Sequence, residues 1–443
     1  MNILLQKLNI LTNSNQAKST LSGAFLFNLG SGGILAWSSI NVYFYSYFFH
    51  YDKNFTVQFA QMAFGMAFLL IGLVALFAVN IAQKVGFERL IRTCAILYIL
   101  CVLASAICQK YIYFFIFYNV FASVSYCMTA IPILNCAWSQ FDKKDSGKIT
   151  GMCLFCLSIS ALFSIFLFTY LINSQNGLAE IIKKEGENEV RFFSQEISKK
   201  VPLALIQMGI FYSFLIIPGS LKIHKRIQMQ QYEQFDREEQ NNMQESGQTK
   251  SQIITDCLFS TPFLVFYTFN FLDAMYIGYL QLNFKIYGQN KIKDDQFLTF
   301  ILLFNQIIGG LANLIFGYLI DKFHFKYCFI LIQTCIGLLT FTMPFISTFK
   351  FLLFFWYITI GFVLNGLQTI SGPVLMGIFG VDIGSKLLSV KSTAFFGGVI
   401  FVQVLAFFLN KFFTFDEVLH ILGIVILFSN VLIKKIGGIQ IYR

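Results

Sequence analysis

Residues 317–326 read Gly-Tyr-Leu-Ile-Asp-Lys-Phe-His-Phe-Lys. They close one uncharged run, 296–320, and open another, 327–349. The segment is therefore a charged turn between two stretches that each approach or exceed the ~20 apolar residues needed to cross a bilayer. A second turn of this kind stands earlier in the chain, where Gln83, Lys84 and Gly86 separate the second uncharged run from the third. Aligning Gln83 with Asp321 sets an offset of 238 residues. At nearly that offset, Asp145-Ser-Gly147-Lys148 falls against Asp382-Ile-Gly384-Ser-Lys386, each group opening the fifth run of its half. The chain reads as a duplicated unit.

Working outward, the uncharged runs are 19–49, 54–83, 93–109, 111–141, 149–179, 201–221, 296–320, 327–349, 351–381 and 392–410. Residues 257–284, interrupted only by Asp273, and 415–433 complete a set of twelve. Composition agrees: 56% of the 443 residues are apolar, 12% are charged, and the mean hydropathy is +0.67. An ordinary soluble domain carries roughly a quarter of charged residues, so that class is excluded. The expected fold is an all-α polytopic membrane protein of twelve transmembrane helices in two pseudo-symmetric six-helix halves. Of the 32 Lys and Arg, 20 fall in the termini and even-numbered loops. This bias predicts that both termini lie in the cytoplasm or its equivalent.

The same distribution accounts for the net charge of +10 without a nucleic-acid partner. The four His are scattered, no phosphate-binding glycine loop is present, and no enzyme activity, metal or cofactor is expected. Cys153 and Cys156, and the heptad-spaced Cys94, Cys101 and Cys108, read as helix packing. The start of the chain is at best a weak targeting peptide. The single sequon, Asn54-Phe-Thr56, sits in a short outer loop and is not expected to be glycosylated.

The expected organisation is an N-terminal cytoplasmic segment 1–18, a six-helix bundle 19–221, a cytoplasmic linker 222–252, a second bundle 253–436 and a tail 437–443. The other hydrophilic stretch, 173–200, holds five Glu and five Lys or Arg and predicts a helical or loosely ordered outer excursion.

These features resemble the major facilitator superfamily, whose loop motif is G-x-L-x-D-[RK]-x-G-[RK]-[RK]. Residues 317–326 match it at Gly317, Leu319, Asp321, Lys322 and Lys326, with His324 and Phe325 where a glycine and a basic residue stand in the motif. Residues 79–88 keep Lys84 and Gly86 but place Gln83 at the aspartate position and Glu88 at a basic one. A narrower resemblance, to the fourth-to-fifth helix signature of the oxalate/formate and monocarboxylate branch, rests on Tyr126, Pro132, Phe141, Lys143, Lys144, Gly147 and Gly151. Physically, Gly317 permits close helix approach, and Asp321 can accept hydrogen bonds from a helix N-terminus across the half interface. Such a contact is a gating latch, and the missing aspartate at Gln83 leaves its mate in the first half in question.

Asp273 is the one charge left over when all others are placed in loops and helix ends. An ionisable group near the midplane is expensive and is usually functional. Asn270 and Tyr276, three residues to either side, share its helical face. In the resembling superfamily, helices one, four, seven and ten line the cavity, which implies that this wedge looks into it. Trp37 and Asn41, Tyr126, Asn305 and Gln306, and Asn365 and Gln368 sit at corresponding depths and are candidate substrate or ion contacts. Gly30, Gly32 and Gly33 read instead as close packing. Against the monocarboxylate branch, the eighth helix has no buried cation, and Lys391 is placed at the start of the eleventh, where it can snorkel.

The leading expectation is a secondary active transporter that moves a small polar solute by alternating access. The solute class is a zwitterion, a cation, or a small acid or neutral solute coupled to a proton, with Asp273 as cation or proton site. The alternative is a degenerate transporter-like structural subunit of a large membrane complex, such as an organellar inner-membrane assembly. Expected partners are membrane lipid, a small-molecule substrate, a proton or cation and, under the alternative, other subunits. The plasma membrane and an organellar membrane, the mitochondrial inner membrane included, are both compatible with the sequence.

Overall fold

A computed structural model describes residues 15–34, 36–142, 145–175, 177, 179–185, 188–225, 250–292, 294–323, 325–409 and 413–433. Lys143, Lys144, His324, most of the 222–252 linker, the first fourteen residues and the 437–443 tail lie outside that set.

Twelve long helical segments are present among the described residues. The first, α1, is in two pieces, Asn15–Ser31 and Trp37–Tyr51. It is followed by α2 (Val57–Val85), α3 (Phe87–Ser105), α4 (Tyr111–Trp138), α5 (Ser146–Asn173) and α6 (Val201–Lys222). The second half holds α7 (Thr261–Lys291), α8 (Asp295–Lys322), α9 (Phe325–Ile346), α10 (Lys350–Phe379), α11 (Val381–Leu409) and α12 (Phe415–Ile433). Among the described residues, eight helices are long and apolar enough, each on its own, to cross a membrane. The outer surfaces of α6, α10 and α12 carry Phe214, Phe351 and Phe428 at 74%, 79% and 73% exposure. Such an apolar surface would be an aggregation liability in water but is what a lipid-facing helix presents.

The packing is two-fold. In the first half α1 packs on α5, α2 on α4, and α3 on both α4 and α6. In the second half the same pairs recur six helices later, as α7 on α11, α8 on α10, and α9 on α10 and α12. The halves meet through α5 with α8 and α2 with α11, which exchange under the same shift. Gly86 (φ 100°) and Gly380 (φ 79°) turn the chain between α2 and α3 and between α10 and α11, in a region that L side chains rarely adopt.

Two departures from the sequence reading concern local structure. The run 19–49 is not one continuous helix, because α1 breaks through a 3₁₀ turn at Gly32–Ile34. Three glycines within four residues weaken the helix, and the neighbours fill their missing side chains. A Cβ at Gly32 would meet Ser160, and one at Gly33 would meet the Tyr212 hydroxyl. The Gly32 N–H freed by the break donates to Ser160 Oγ at 2.9 Å. Further on, the described residues of the 173–200 excursion are not helical throughout. They contain an antiparallel hairpin of β1 (Ile181–Glu185) and β2 (Asn188–Phe192), in register Ile181↔Phe192 and Lys183↔Val190. Two strands alone are marginal in water, and this pair is anchored to the outer piece of α1. Phe192 stacks on Phe49 at 4.2 Å and Phe193 on Tyr43 at 5.0 Å. The Phe193 N–H donates to Ser46 Oγ at 3.0 Å, and His50 Nε2 donates to the Phe193 carbonyl at 2.9 Å. The hairpin marks one side of the molecule and residues 222–225 the other.

On the hairpin side, Asp294 caps α8 by accepting from Phe297 N at 3.1 Å and pairs with Lys350 Nζ at 2.6 Å. The Lys350 ammonium, then the Phe297 N–H, hold this carboxyl below the ordinary aspartate value. A depressed folded-state pKa stabilises fully above the unfolded value and is lost as pH falls through the folded one. Asp294→Asn should therefore lower the thermal midpoint at neutral pH, with the gap to wild type closing as pH drops below about 4. A pH series of melting curves in detergent reads this directly, and a gap that persists at low pH would remove the ion pair as its cause.

Candidate functional site

Asn270, Asp273 and Tyr276 lie on one face of α7 at exposures of 1%, 1% and 0%. That face is set by what flanks it. Phe266 and Phe269 pack on Phe329 of α9 at 4.6 and 5.8 Å between ring centroids. One turn further on, Gln333 Nε2 of α9 donates to Asp273 Oδ2 at 2.6 Å. A different face of α7 is taken by α11, where Gly398 leaves room for the Phe271 carbonyl and Gly278 for Val399. Asp273 is thus aimed into the interior of its own half, toward α9, where the sequence reading had it face the cleft between halves. The glycines of α7 and α11 set that rotation, by letting those two helices close on the opposite flank.

Lys391 also differs from expectation. It lies well inside α11, is 4% exposed, and donates from Nζ to Gln368 Oε1 of α10 at 3.4 Å. It does not snorkel. The ammonium is within electrostatic range of Asp273, so among the described residues the interior of this half holds one buried acid and one buried base, each held by a glutamine.

Tyr276 also lines a small crevice with Asn305 of α8 and Tyr357 and Gly361 of α10. The Asn305 carboxamide occupies the space that a Cβ at Gly361 would take, and Asn365 Nδ2 donates to the Gly361 carbonyl at 2.8 Å. Gln306 and Gln368 are half-buried. All seven expected contacts of the second half, Asn270, Asp273, Tyr276, Asn305, Gln306, Asn365 and Gln368, are thus buried or half-buried within it.

In the first half, Trp37 is buried in an aromatic cluster, stacked on Phe44 at 5.5 Å and on Phe114 at 6.4 Å and tilted against Tyr118 at 6.0 Å. Asn41 and Tyr126 are half-buried. Tyr118 lies within an unusual part of α4, a π-helical stretch over Phe115–Ala122. Such stretches are rare and cluster at functional sites.

The end of α8, with Gly317 and Asp321, forms a contact between halves. Asp321 Oδ1 accepts from Gly147 N at 3.0 Å and Oδ2 from Lys148 N at 2.9 Å, so one carboxylate takes two orphan N–H groups at the start of α5. Lys148 in turn pairs with Asp145 at 2.7 Å. The helices touch because Gly147, Gly151 and Gly317 have no side chains: a Cβ at Gly317 would meet the Gly147 carbonyl, and one at Gly151 the Asn313 carbonyl. Deeper in, Asn313 Nδ2 donates to Ser158 Oγ at 3.2 Å across the interface, and Thr369 Oγ1 donates to Asn313 Oδ1 at 2.8 Å. Trp138 of α4 lies against the space left by Gly372 of α10. Lys322 sits over the Tyr318 ring at 4.4 Å, and Lys326 is half-buried. The matching positions in the first half, Gln83 and Lys84, are exposed at the end of α2.

Gln333, Asn313 and Ser158 were not singled out from sequence. Gln333 and Asn313 are polar residues deep inside otherwise apolar runs, the same signal that marked Asp273, but without a charge they draw less notice.

No family model matches the sequence, and no curated protein matches it. Among solved structures, the chain is similar to the major facilitator superfamily proton:xylose symporter XylE bound to 6-bromo-6-deoxy-D-glucose. The similarity has a TM-score of 0.69 at 12% identity over 95% of this chain and 94% of that one. With the two-fold helix packing and the apolar outer surface, this makes the chain a multi-pass membrane protein with the major facilitator fold.

Proposed function

We propose that the chain is a secondary active transporter that moves a small polar solute by alternating access, its two halves rocking about the α5/α8 and α2/α11 contacts. The observation that carries this reading is the Asp321 carboxylate seated on the start of α5, on the side of the molecule away from the hairpin. A hydrogen-bonded contact between halves at one end holds one of two states, which is what a rocking carrier needs. The 222–252 linker then joins the halves on the latch side. The solute is a zwitterion, a cation, or a small acid or neutral solute moved with a proton, and Asp273 is the coupling position. The described neighbour is named as a proton symporter of a neutral sugar, in keeping with that range. Uptake into proteoliposomes of zwitterionic, cationic, acidic and polyol solutes, with and without a proton gradient, tests the reading.

The latch has its own test. Asp321→Asn keeps one acceptor oxygen but turns an N–H₂ toward an N–H donor, so one charge-assisted bond is lost. Such a bond contributes about 1.5–3 kcal/mol, which corresponds to a roughly ten-fold or larger shift in the balance of states. Solute binding, measured separately, should stay near wild type while uptake slows. A fall in binding as steep as the fall in uptake would remove the latch role.

A second reading, a structural subunit of a membrane assembly, is favoured by the aromatic packing around Trp37 and by the exposed Gln83 end of α2. Co-purification in a fixed assembly, with no solute taken up, would support it.

A further inference from the structure

We propose that Asn270, Asp273 and Gln333 form a binding site for a bare monovalent metal cation of the sodium type, inside the second half and between α7 and α9. This rests on the transporter reading only for its purpose, which is coupling, and not for its geometry. The geometry is a matter of unmatched oxygens. The nitrogen of each amide is committed: Asn270 Nδ2 donates to the Phe266 carbonyl at 2.8 Å, and Gln333 Nε2 donates to Asp273 Oδ2 at 2.6 Å. Their oxygens are thereby fixed as the free ends. Asn270 Oδ1, Gln333 Oε1 and the second carboxylate oxygen, Asp273 Oδ1, receive no hydrogen bond from the described residues. All three residues are 1% exposed or less. Asn270 and Asp273 are neighbours at i,i+3 on one helix face, and Gln333 is bonded to Asp273, so the three residues that carry these oxygens adjoin one another.

Buried acceptors without donors are costly, and a charged one most of all. Three kinds of group could satisfy them. A proton on Asp273 would supply one donor to a set of three acceptors. A divalent ion would satisfy the oxygens but leave net positive charge in an apolar interior beside Lys391. A monovalent hard cation accepts all three oxygens and balances the single carboxylate. Below the locus the packing is aromatic, from Phe266, Phe269 and Phe329, and Tyr276 stands one turn away. The nearby opposite charge, Lys391, points its ammonium at Gln368 and does not take the place of a ligand to Asp273. Its charge instead opposes a cation at the locus, so the lysine limits affinity.

The test uses full-length protein purified in detergent. Melting midpoints are measured across sodium chloride concentrations, with choline chloride holding ionic strength constant. Wild type should show a saturable rise with sodium that choline does not produce. Asp273→Asn, Gln333→Leu and Asn270→Leu should each lose it, and Lys391→Met should reach saturation at several-fold lower sodium. Equilibrium binding of radioactive sodium to wild-type protein gives the same answer without relying on any variant to fold. Equal midpoints in sodium, lithium, potassium and choline, with no radioactive sodium retained, would overturn the site. So would a sodium response that survives both Gln333→Leu and Asn270→Leu. Proton-driven uptake in sodium-free medium alongside that negative result would leave the transporter reading intact, whereas saturable sodium binding without uptake of any solute would support the site and count against transport.

Discussion

Asp273→Asn should collapse accumulation of solute against a gradient to a concentration ratio near one, while exchange of solute between equal pools continues. The structure explains why the two activities separate. An asparagine at 273 can still accept from Gln333 Nε2 and fills the same volume, so the α7/α9 contact at 2.6 Å is preserved. What is lost is the charge, and with it the ability to carry a cation or proton through the cycle. Were the chain only a structural subunit, the change would be silent or mildly stabilising, since it removes a charge from an apolar interior. Proteoliposome uptake of wild type beside variant, with counterflow as the exchange assay, decides between the two. Equal gradient-driven uptake by both would end the coupling role of Asp273.

Gly147→Val should be the most damaging change at the interface. Even the first carbon of a side chain there would lie 2.5 Å from Asp321 Oδ1, from the Gly317 carbonyl and from Ile320 Cγ2. The Gly317 carbonyl is backbone and cannot yield without parting α5 from α8, and forced overpacking of this kind typically costs about 1–3 kcal/mol. The latch-closed state should therefore be depopulated, seen as a lower melting midpoint and as faster labelling of a cysteine placed at Ser146. Gly397→Ala is the control, because the nearest atom to its added carbon is an aromatic edge at 3.8 Å. If the two variants behave alike, close approach at Gly147 is not what holds the halves.

The twelve runs, the duplication and the role of Gly317 in helix approach could be read from sequence, because each depends on a pattern repeated over many residues or on a residue type with few uses. Depth along a helix was legible in the same way, as Asp273 shows. Rotation about the helix axis was not. Whether Asp273 faces the cleft or α9 depends on which flank of α7 its partners occupy, and that is decided by Gly398 and Gly278 packing on another helix far away in the chain. Lys391 failed for a related reason: its nearness to the start of an uncharged run suggested a rim position, but α11 begins at Val381, ten residues before it. The hairpin at 181–192 was hidden because alternation over five residues is a weak signal amid so many charges.

The break in α1 divides that helix between two masters. Its inner piece is fastened to α6, where Gly23 and Gly219 let the backbones touch and Ser19 and Thr20 hydroxyls donate to the carbonyls of Lys222 and His224 at 3.2 Å each. Its outer piece is fastened to the hairpin through Tyr43, Ser46, Phe49 and His50. A push or pull applied to the hairpin is therefore delivered to half a helix, with the glycines at 32 and 33 as the elbow. Through Phe44, which packs on Phe114 and Tyr118, that same outer piece ties the hairpin to the aromatic cluster of α4.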